Sequence, residues 1–546
     1  MSRSHLRWTA AIPVLVLLTL ALGLGLAADS LSDLLTRRTV DTIKPALAFA
    51  GTGLLVAQLW LDRHGRGRRL RRLRDGALVA VALASALAWW NFLQFHYPRH
   101  IHVSDTYHYY VGAKYFSELG YTRLYACTAV ADAEAAPATG VADRNIRDLA
   151  TNEMISAAVP LAEPEACKRH FSETRWRAFR HDVDWFRGLV TPRRWGEIQR
   201  DHGYNPPPSW GLLGGRLANL GPAGPKQLAV LGLIDPLLLA GMFASIAWAF
   251  GWRVLCVAVI YWGTNFFGVF GWTGGSLLRQ GWLVTAVSGV CCLRKGRPTA
   301  AGALLTVSTL VRIFPGVILA TLALRAAVQM GRQHRFALEP SDRRIALGAA
   351  LAFAVVFPLA TWTHGGLDAW FDFVENSRVH LGTALKNHVG LATVLSYDPS
   401  ALDRLSSGGD PMERYEAWSA AREARFSERR WLHRAALMAF LVLISAAASR
   451  DERWVAAALG IGAIPMAFEL TNYYYAILVG FAPLAARRRE IGAALCGLSG
   501  LSWVIAGTFQ WRDEIMTWCS AMVVFYVVWC TARIAWGPAP TPEATR

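Results

Sequence analysis

The chain reads as an all-α polytopic membrane protein, with about 14 transmembrane or half-membrane helices and two large outer loops carrying interfacial helices. Three observations predict this class. Charged residues make up only 17% of the chain and hydrophobic ones 53%, with a mean hydropathy of +0.27, whereas a soluble domain carries about 25% charged residues. Apolar runs of roughly 20 residues, the length needed to cross a bilayer, recur along the chain. There are also 23 Trp, a residue enriched at membrane interfaces.

The runs fall at about 8–27, 43–62, 76–94, 227–250, 254–270, 281–294, 344–363, 431–448, 454–470, 473–486, 490–509 and 514–536. The stretch 299–325 carries Arg312 and Pro315 in its middle. An unpaired Arg in lipid is expensive, so this stretch is expected to be two short helices meeting at that point. The first run is read as a retained anchor rather than a signal peptide, because no small-residue cleavage site follows it.

Orientation follows from the basic loops. Residues 63–74 read RHGRGRRLRRLR without an acid, so this loop is expected to be cytoplasmic. Counting crossings from there puts the basic turns at 294–297, 325–344, 450–453 and 487–489 on the same side, with both chain ends inside. The expected organisation is two extra spans and a basic loop over 1–75, a main membrane unit over 76–536, and a cytoplasmic tail over 537–546. Within the main unit, outer loops occupy 95–226 and 364–430. The net charge of +17 is mostly this bias, and no basic stripe points to nucleic acid. No GxGxxG or P-loop is present, which argues against a nucleotide-driven pump.

Six of the eight Cys fall in predicted spans, where they act as small hydrophobes. Cys127 and Cys167 share the first outer loop, and an outer compartment permits a disulfide between them. No metal-type Cys spacing occurs.

The residues that carry chemistry lie in the outer segments. The first loop opens with HIHVSDTYHYYVGAKYFSELGYTRLYACT, residues 100–128. It sets Asp105 at the membrane surface among Tyr107, His108, Tyr109 and Tyr110. An acid at the mouth of a bundle can take a proton from a hydroxyl. The plainer alternative is an Asp capping the helix that follows. His100, His102, Asp105 and His108 are of metal-ligand type, but their spacing matches no standard motif, and no metal or other cofactor is expected. Over 175–195, Trp176, Phe179, Val183, Phe186 and Val190 share one helical face with Arg around the rest. That is the pattern of an interfacial amphipathic helix, either anchoring the loop or holding a lipid phosphate. Next, DHGYNPPPSW (201–210) holds Tyr204 and Asn205 before a rigid proline run. Further polar residues end the later spans: Arg279 and Gln280, Arg312, then Lys386, Asn387 and His388, and finally Glu469, Asn472 and Tyr473–Tyr475. Ionisable groups at membrane depth are functional candidates. A cation at Arg312 suits a lipid-linked phosphate, and its structural alternative is an ion pair with Asp235 or Glu469.

Together these positions resemble the C-type glycosyltransferase superfamily, and within it the bacterial polyprenyl-phosphate-mannose-dependent α-mannosyltransferases (glycosyltransferase family 87). In that family the first outer loop opens with an Asp, a Tyr a few residues on, then a Gly and a Leu-Tyr pair. Asp105, Tyr109, Gly120, Leu124 and Tyr125 fit. A Tyr-x-Pro-Pro element is matched by Tyr204, Pro206 and Pro207, and a Gln in a later turn by Gln280. A basic residue and Pro in a broken helix pair are matched by Arg312 and Pro315, though the family more often has Lys there. The late Tyr-rich turn is matched by Tyr473 and Tyr474. The resemblance runs over about 76–510; two spans precede it, and an insertion interrupts it at about 128–200.

The resemblance implies a multi-pass enzyme of the bacterial cytoplasmic membrane, with its active site on the extracytoplasmic side. It would move mannose or another hexose from a polyprenyl-phosphate donor to a lipid or glycan acceptor, inverting the anomeric centre. Asp105 would be the general base. Arg312, and Lys386 or His388, would hold the departing phosphate. Tyr109, His108, Tyr204, Asn205, Gln280 and Tyr473 would line the substrate site. Two rivals remain open on sequence alone. A transporter or lipid flippase for an envelope precursor would share the spans, and would favour repeated halves and matched broken helices. A non-catalytic envelope scaffold would leave the Asp105 cluster and Arg312 without a purpose.

Overall fold

The computed structural model describes residues 35–65, 70–96, 99–135, 140–334, 336–401 and 411–537. The expected span at 8–27, a third of the basic loop 63–74 and nearly all of the tail after 536 lie outside them. The chain is an all-α membrane protein with two short two-stranded ladders.

Among the described residues, six helices are long and apolar enough to cross a membrane: Arg37–Arg63, Pro225–Phe250, Pro340–Thr363, Glu413–Ala448, Arg489–Thr508 and Arg512–Trp536. Several helices begin where the chain supplies a start signal. Pro208, Pro225, Pro298 and Pro340 stand in first turns, where the missing N–H is no loss. Thr36, Ser172 and Thr191 cap the helices that follow them.

Four of the apolar runs form shorter helices. Trp252–Thr264, Gly281–Arg294, Pro298–Val311 and Arg453–Ala467 are short. A 14-residue α-helix reaches only about 21 Å. These runs are apolar because they form the centre of the bundle: Tyr261, Leu283, Val287, Leu305, Val455 and Leu459 are fully buried. The run at 473–486 is a 3-10 helix, Asn472–Ala486, whose steeper rise carries 15 residues about 30 Å. The stretch 299–325 breaks where expected, with Arg312 in an extended conformation between Pro298–Val311 and Gly316–Gln333. The run at 431–448 is the end of a 38-residue helix, Pro411–Ala448, which begins inside the segment expected as the second outer loop.

The basic turns meet at one end of the bundle. Arg294 donates to Glu452 at 3.0 Å, Arg487 to Asp451 at 2.9 Å and Arg253 to Asp75 at 2.8 Å. Arg325 reaches the Asp451 carbonyl at 3.3 Å, and Arg489 pairs with Asp62, which also faces Arg74 at 3.5 Å. Helix Gly281–Arg294 leaves this end for the opposite one at Gln280, and Pro298–Val311 does so at Arg312. That opposite end carries the candidate site.

The first long loop is a folded unit with its own core. Tyr107, Tyr110, Tyr115, Leu124 and Tyr125 bury against Phe179, Phe186, Trp195 and Ile198. One expectation is corrected here. The apolar face of Glu173–Arg187 does not lie on lipid, because Trp176, Phe179, Val183 and Phe186 are covered by that aromatic core. The insertion at 128–200 is part of the same unit: Asp182, fully buried, takes Lys114 at 2.8 Å and the Tyr115 hydroxyl at 2.9 Å, tying the inserted helix to the one that carries Asp105. Cys127 and Cys167 form a disulfide, 40 residues apart. Replacing both with Ser is expected to lower the stability of this unit by about 3–4 kcal/mol through the freed loop, read as increased proteolysis within 99–223 under native conditions.

The unit is fastened to the bundle by an unusual turn. Asn91, Phe92, Leu93 and Phe95 all have left-handed φ, between 51° and 69°. Buried Lys44 donates to the Asn91 side chain at 3.0 Å, and Gln94 donates to the Leu35 carbonyl at 2.9 Å. The helix Arg37–Arg63 thus holds the turn that leads into the site.

Candidate functional site

Asp105 lies in the first turn of the helix Val103–Lys114, where an acid complements the helix dipole. His102 caps that turn, its Nδ1 accepting from the Asp105 N–H at 3.1 Å while Nε2 faces the Gly271 carbonyl at 3.2 Å. Nδ1 can accept only while its ring is neutral. Burial pushes His102 below its ordinary pKa, against the pull of Asp105. One carboxylate oxygen of Asp105 faces the Arg279 guanidinium at 3.2 Å. The other is buried and has no hydrogen-bond partner.

The segment 271–280 is set by two devices. Gly275 has φ +73°, and a Cβ there would stand 1.7 Å from the His100 carbonyl oxygen. Its own carbonyl accepts from the His102 N–H at 3.0 Å. Gly275→Ala is therefore expected to cost about 3 kcal/mol or more through overpacking and strain, seen as a large drop in thermal midpoint of the detergent-solubilised protein. The second device is Asp235, whose carboxylate accepts the backbone N–H groups of Arg279 (2.8 Å) and Gln280 (3.2 Å).

Arg279 and Arg312 converge on one phenol. Each donates to the Tyr109 hydroxyl, which in turn reaches the Asn205 side-chain oxygen at 3.5 Å. Burial pushes the Tyr109 pKa up to about 12, against the pull of the two guanidiniums, so the hydroxyl stays protonated at neutral pH. Arg279 lies over the Tyr473 ring at 4.4 Å and near Tyr474 at 5.8 Å; Arg312 is 5.9 Å from Tyr474. Cation–π contact compensates part of the desolvation of both charges. The Arg312 Nε remains buried without a partner.

Of the residues expected from sequence, Asp105, Tyr109, Asn205, Arg312 and Tyr473 come together. Tyr204 stands behind Tyr109, ring centroids 6.3 Å apart, and stacks on Tyr121. Gln280 joins through its backbone. Three residues stand elsewhere. His108 turns into the loop core, to the Tyr125 hydroxyl at 2.7 Å and the Ile198 carbonyl at 3.3 Å. Lys386 lies 5.8 Å from the Trp418 ring. His388 sits in a ladder with Thr471, its ring 3.8 Å from Glu469. The strand His388–Val389 contributes indirectly, since Asn387 and Asn472 are bonded to each other at the start of the Tyr473 turn.

Arg279 and Tyr474, expected only as polar residues at the ends of spans, and Asp235, expected only as a partner of Arg312, also stand at this site. The available signal was an ionisable residue at the end of an apolar run. Neither expected partner of Arg312 takes that place: Asp235 holds backbone N–H groups, and Glu469 pairs with Arg422 at 2.7 Å. Among the described residues no group of three or more His, Cys, Asp or Glu side chains converges as a metal cage would. The arrangement is an unsatisfied carboxylate oxygen beside two buried guanidiniums, at the end of the bundle opposite the basic turns. No family model, curated protein or solved structure matches this chain.

Proposed function

We propose that this chain is an inverting membrane glycosyltransferase. It transfers mannose or another hexose from a polyprenyl phosphate to a hydroxyl acceptor, on the outer face of a bacterial cytoplasmic membrane. The observation that carries this reading is Asp105, with one oxygen oriented by Arg279 and the other buried and unpartnered, next to a second buried cation at Arg312. Buried polar atoms are nearly always hydrogen-bonded, so an exception at such a place suits a proton acceptor.

The steps follow from these groups. The free oxygen of Asp105 takes the proton of the acceptor hydroxyl as that oxygen bonds to the anomeric carbon. The bond from the anomeric carbon to the phosphate oxygen breaks, and its electron pair leaves with the phosphate. Arg312 and Arg279 meet the charge that develops there, in a site where fixed donors act strongly. Tyr109 holds both guanidiniums until the phosphate replaces it as acceptor. The leaving group is a phosphate, and the base is a carboxylate of the chain itself.

The topology that goes with this reading has about 14 crossings and both ends in the cytoplasm. The convergence of the basic turns at one end supports it. The test is label transfer in membranes from radiolabelled polyprenyl-phosphate-mannose, with glucosyl and arabinosyl donors in parallel. Transfer to an extractable or glycan product is expected. If labelled donor instead crosses vesicles intact with no transfer from any lipid-linked sugar, the chain is a transporter.

A further inference from the structure

Three histidines close the junction between the turn at 91–96 and the helix Val103–Lys114. Each sets Nε2 against a backbone carbonyl: His96 on Gly274 at 2.7 Å, His100 on Gly232 at 2.9 Å and His102 on Gly271 at 3.2 Å. A carbonyl only accepts, so each Nε2 carries the proton. Two of these carbonyls belong to the segment 271–280, whose far end carries Arg279. The His102 N–H adds a further bond to that segment, to the Gly275 carbonyl at 3.0 Å.

His102 also uses its second ring nitrogen, since Nδ1 accepts from the Asp105 N–H at 3.1 Å. One imidazole thus ties the helix of the carboxylate to the segment of the guanidinium. It can do so in one form alone, neutral with the proton on Nε2. A proton added at Nδ1 would set two N–H donors against each other. The cap would be lost, and with it the first turn that brings Asp105 to Arg279. His96 and His102 line a cavity of about 430 Å³ together with Arg99, Ser104 and Arg194, which gives solvent a way to both rings. Asp105 lies outside that lining, so the solution is met at His102.

The charges around the junction resist that proton. Facing His102 are Asp105 on its own helix, Arg279 on the segment 271–280, Arg194 on the helix Pro192–Ile198, and His96, with ring centroids 5.0 Å apart. Arg194 pairs with Glu197 at 3.0 Å, and Asp105 is engaged by Arg279. Facing His96 are His100, His102 and Arg37 of the helix Arg37–Arg63. Burial holds His102 below its ordinary pKa and pushes His96 down to about 4. A lowered pKa means that the folded junction favours the neutral rings. Its hold is complete above about pH 6.5, the ordinary histidine value, and weakens as pH falls below that.

We propose that His102 is a positioning residue and an acid switch. Neutral, it holds the Asp105 helix on the Arg279 segment. Once it takes a proton from water in the cavity, it releases the cap, and the carboxylate parts from its guanidinium. Loss of transfer at acid pH rests on the transferase reading; the opening of the helix does not.

The test is amide hydrogen exchange of the full-length protein in mild detergent, expressed as protection factors so that the pH dependence of intrinsic exchange is divided out. Protection over 105–110 should fall from about pH 7 to about pH 5, the window in which histidine takes its charge. The limiting slope is about tenfold per pH unit, that of one proton taken up. His102→Asn should flatten the slope and keep protection at neutral pH, because its Oδ1 caps a helix and does not titrate. His102→Ala should lower protection by about fivefold at both ends of the window, the worth of an N-cap. His96→Gln, which keeps a donor for Gly274, should leave the slope in place. Label transfer by the wild type should fall over the same window, and the ratio of acid to neutral rate should rise toward one in His102→Asn. Wild-type protection that is constant with pH overturns the inference. So does a slope that survives His102→Asn or is abolished by His96→Gln, since another group is then the switch. Transfer that holds steady while protection falls removes the positioning role. If the slope behaves as expected and no lipid-linked sugar is transferred at any pH, the switch stands and the transferase reading falls.

Discussion

Asp105→Asn is expected to lower sugar transfer by about 10²–10⁴-fold, the range of a positioned general base, with the thermal midpoint shifted by only a few degrees. The amide keeps the shape of the carboxylate, and its oxygen can still face Arg279. What it loses is the ability to take a proton at the oxygen that is buried and unpartnered. The helix cap is unaffected, because the bond from the Asp105 N–H to His102 belongs to the backbone. The measurement is initial rate of label transfer, with donor retention followed in parallel. A fall in rate at constant retention assigns the base to Asp105. An unchanged rate removes that role. A fall matched by lost donor and a lower midpoint makes Asp105 a structural partner of Arg279.

Arg312→Met should lower transfer by about 10²–10³-fold, the loss measured when one preorganised donor to a developing charge is removed. Met keeps the apolar stem beside Tyr474. The fall should be larger in kcat than in the donor KM, because charge on the departing phosphate grows toward the transition state. Arg312→Lys should recover part of the rate. An ammonium restores the charge but not a planar fork that can hold Tyr109 and a phosphate together. Tyr109→Phe makes the control: both guanidiniums lose a shared acceptor, so the midpoint should fall while the cations remain. Should Arg312→Met raise the donor KM and leave kcat untouched, the residue binds the donor without helping the bond break.

Much of this protein was legible in one dimension. Spanning length and the scarcity of charge identify a membrane bundle. The broken pair around Arg312 was legible because Arg and Pro both resist the middle of an apolar helix. The clustering of basic turns was legible because their charge bias follows from topology rather than packing. The site was legible in part, for a related reason: Asp105, Tyr109, Arg312 and Tyr473 are polar residues at the edges of apolar runs, where nothing in local structure requires them.

Other features were settled by tertiary packing. Hydropathy counts apolar residues without saying what covers them, so it could not show that helices such as Gly281–Arg294 are short and lie at the centre of the bundle. The apolar face of Glu173–Arg187 looked like a membrane surface for the same reason; Tyr107, Tyr110 and Tyr115 cover it instead. Pairing lies further from the sequence still. Arg279, not Arg312, meets Asp105, because Asp235 fixes the backbone of that turn and Gly275 lets it press against His100. Lys386 and His388 are ionisable residues of the same kind as those that converge on Tyr109, and only the ladder to Leu470–Thr471 decides that they face Trp418 and Glu469. The sequence by itself determined the solvent this chain folds in and which residues are too costly there to be idle. The tertiary structure decided which of them meet, since contacts between residues 105, 279, 312 and 473 depend on several helix ends arriving at one place, and no local pattern encodes that.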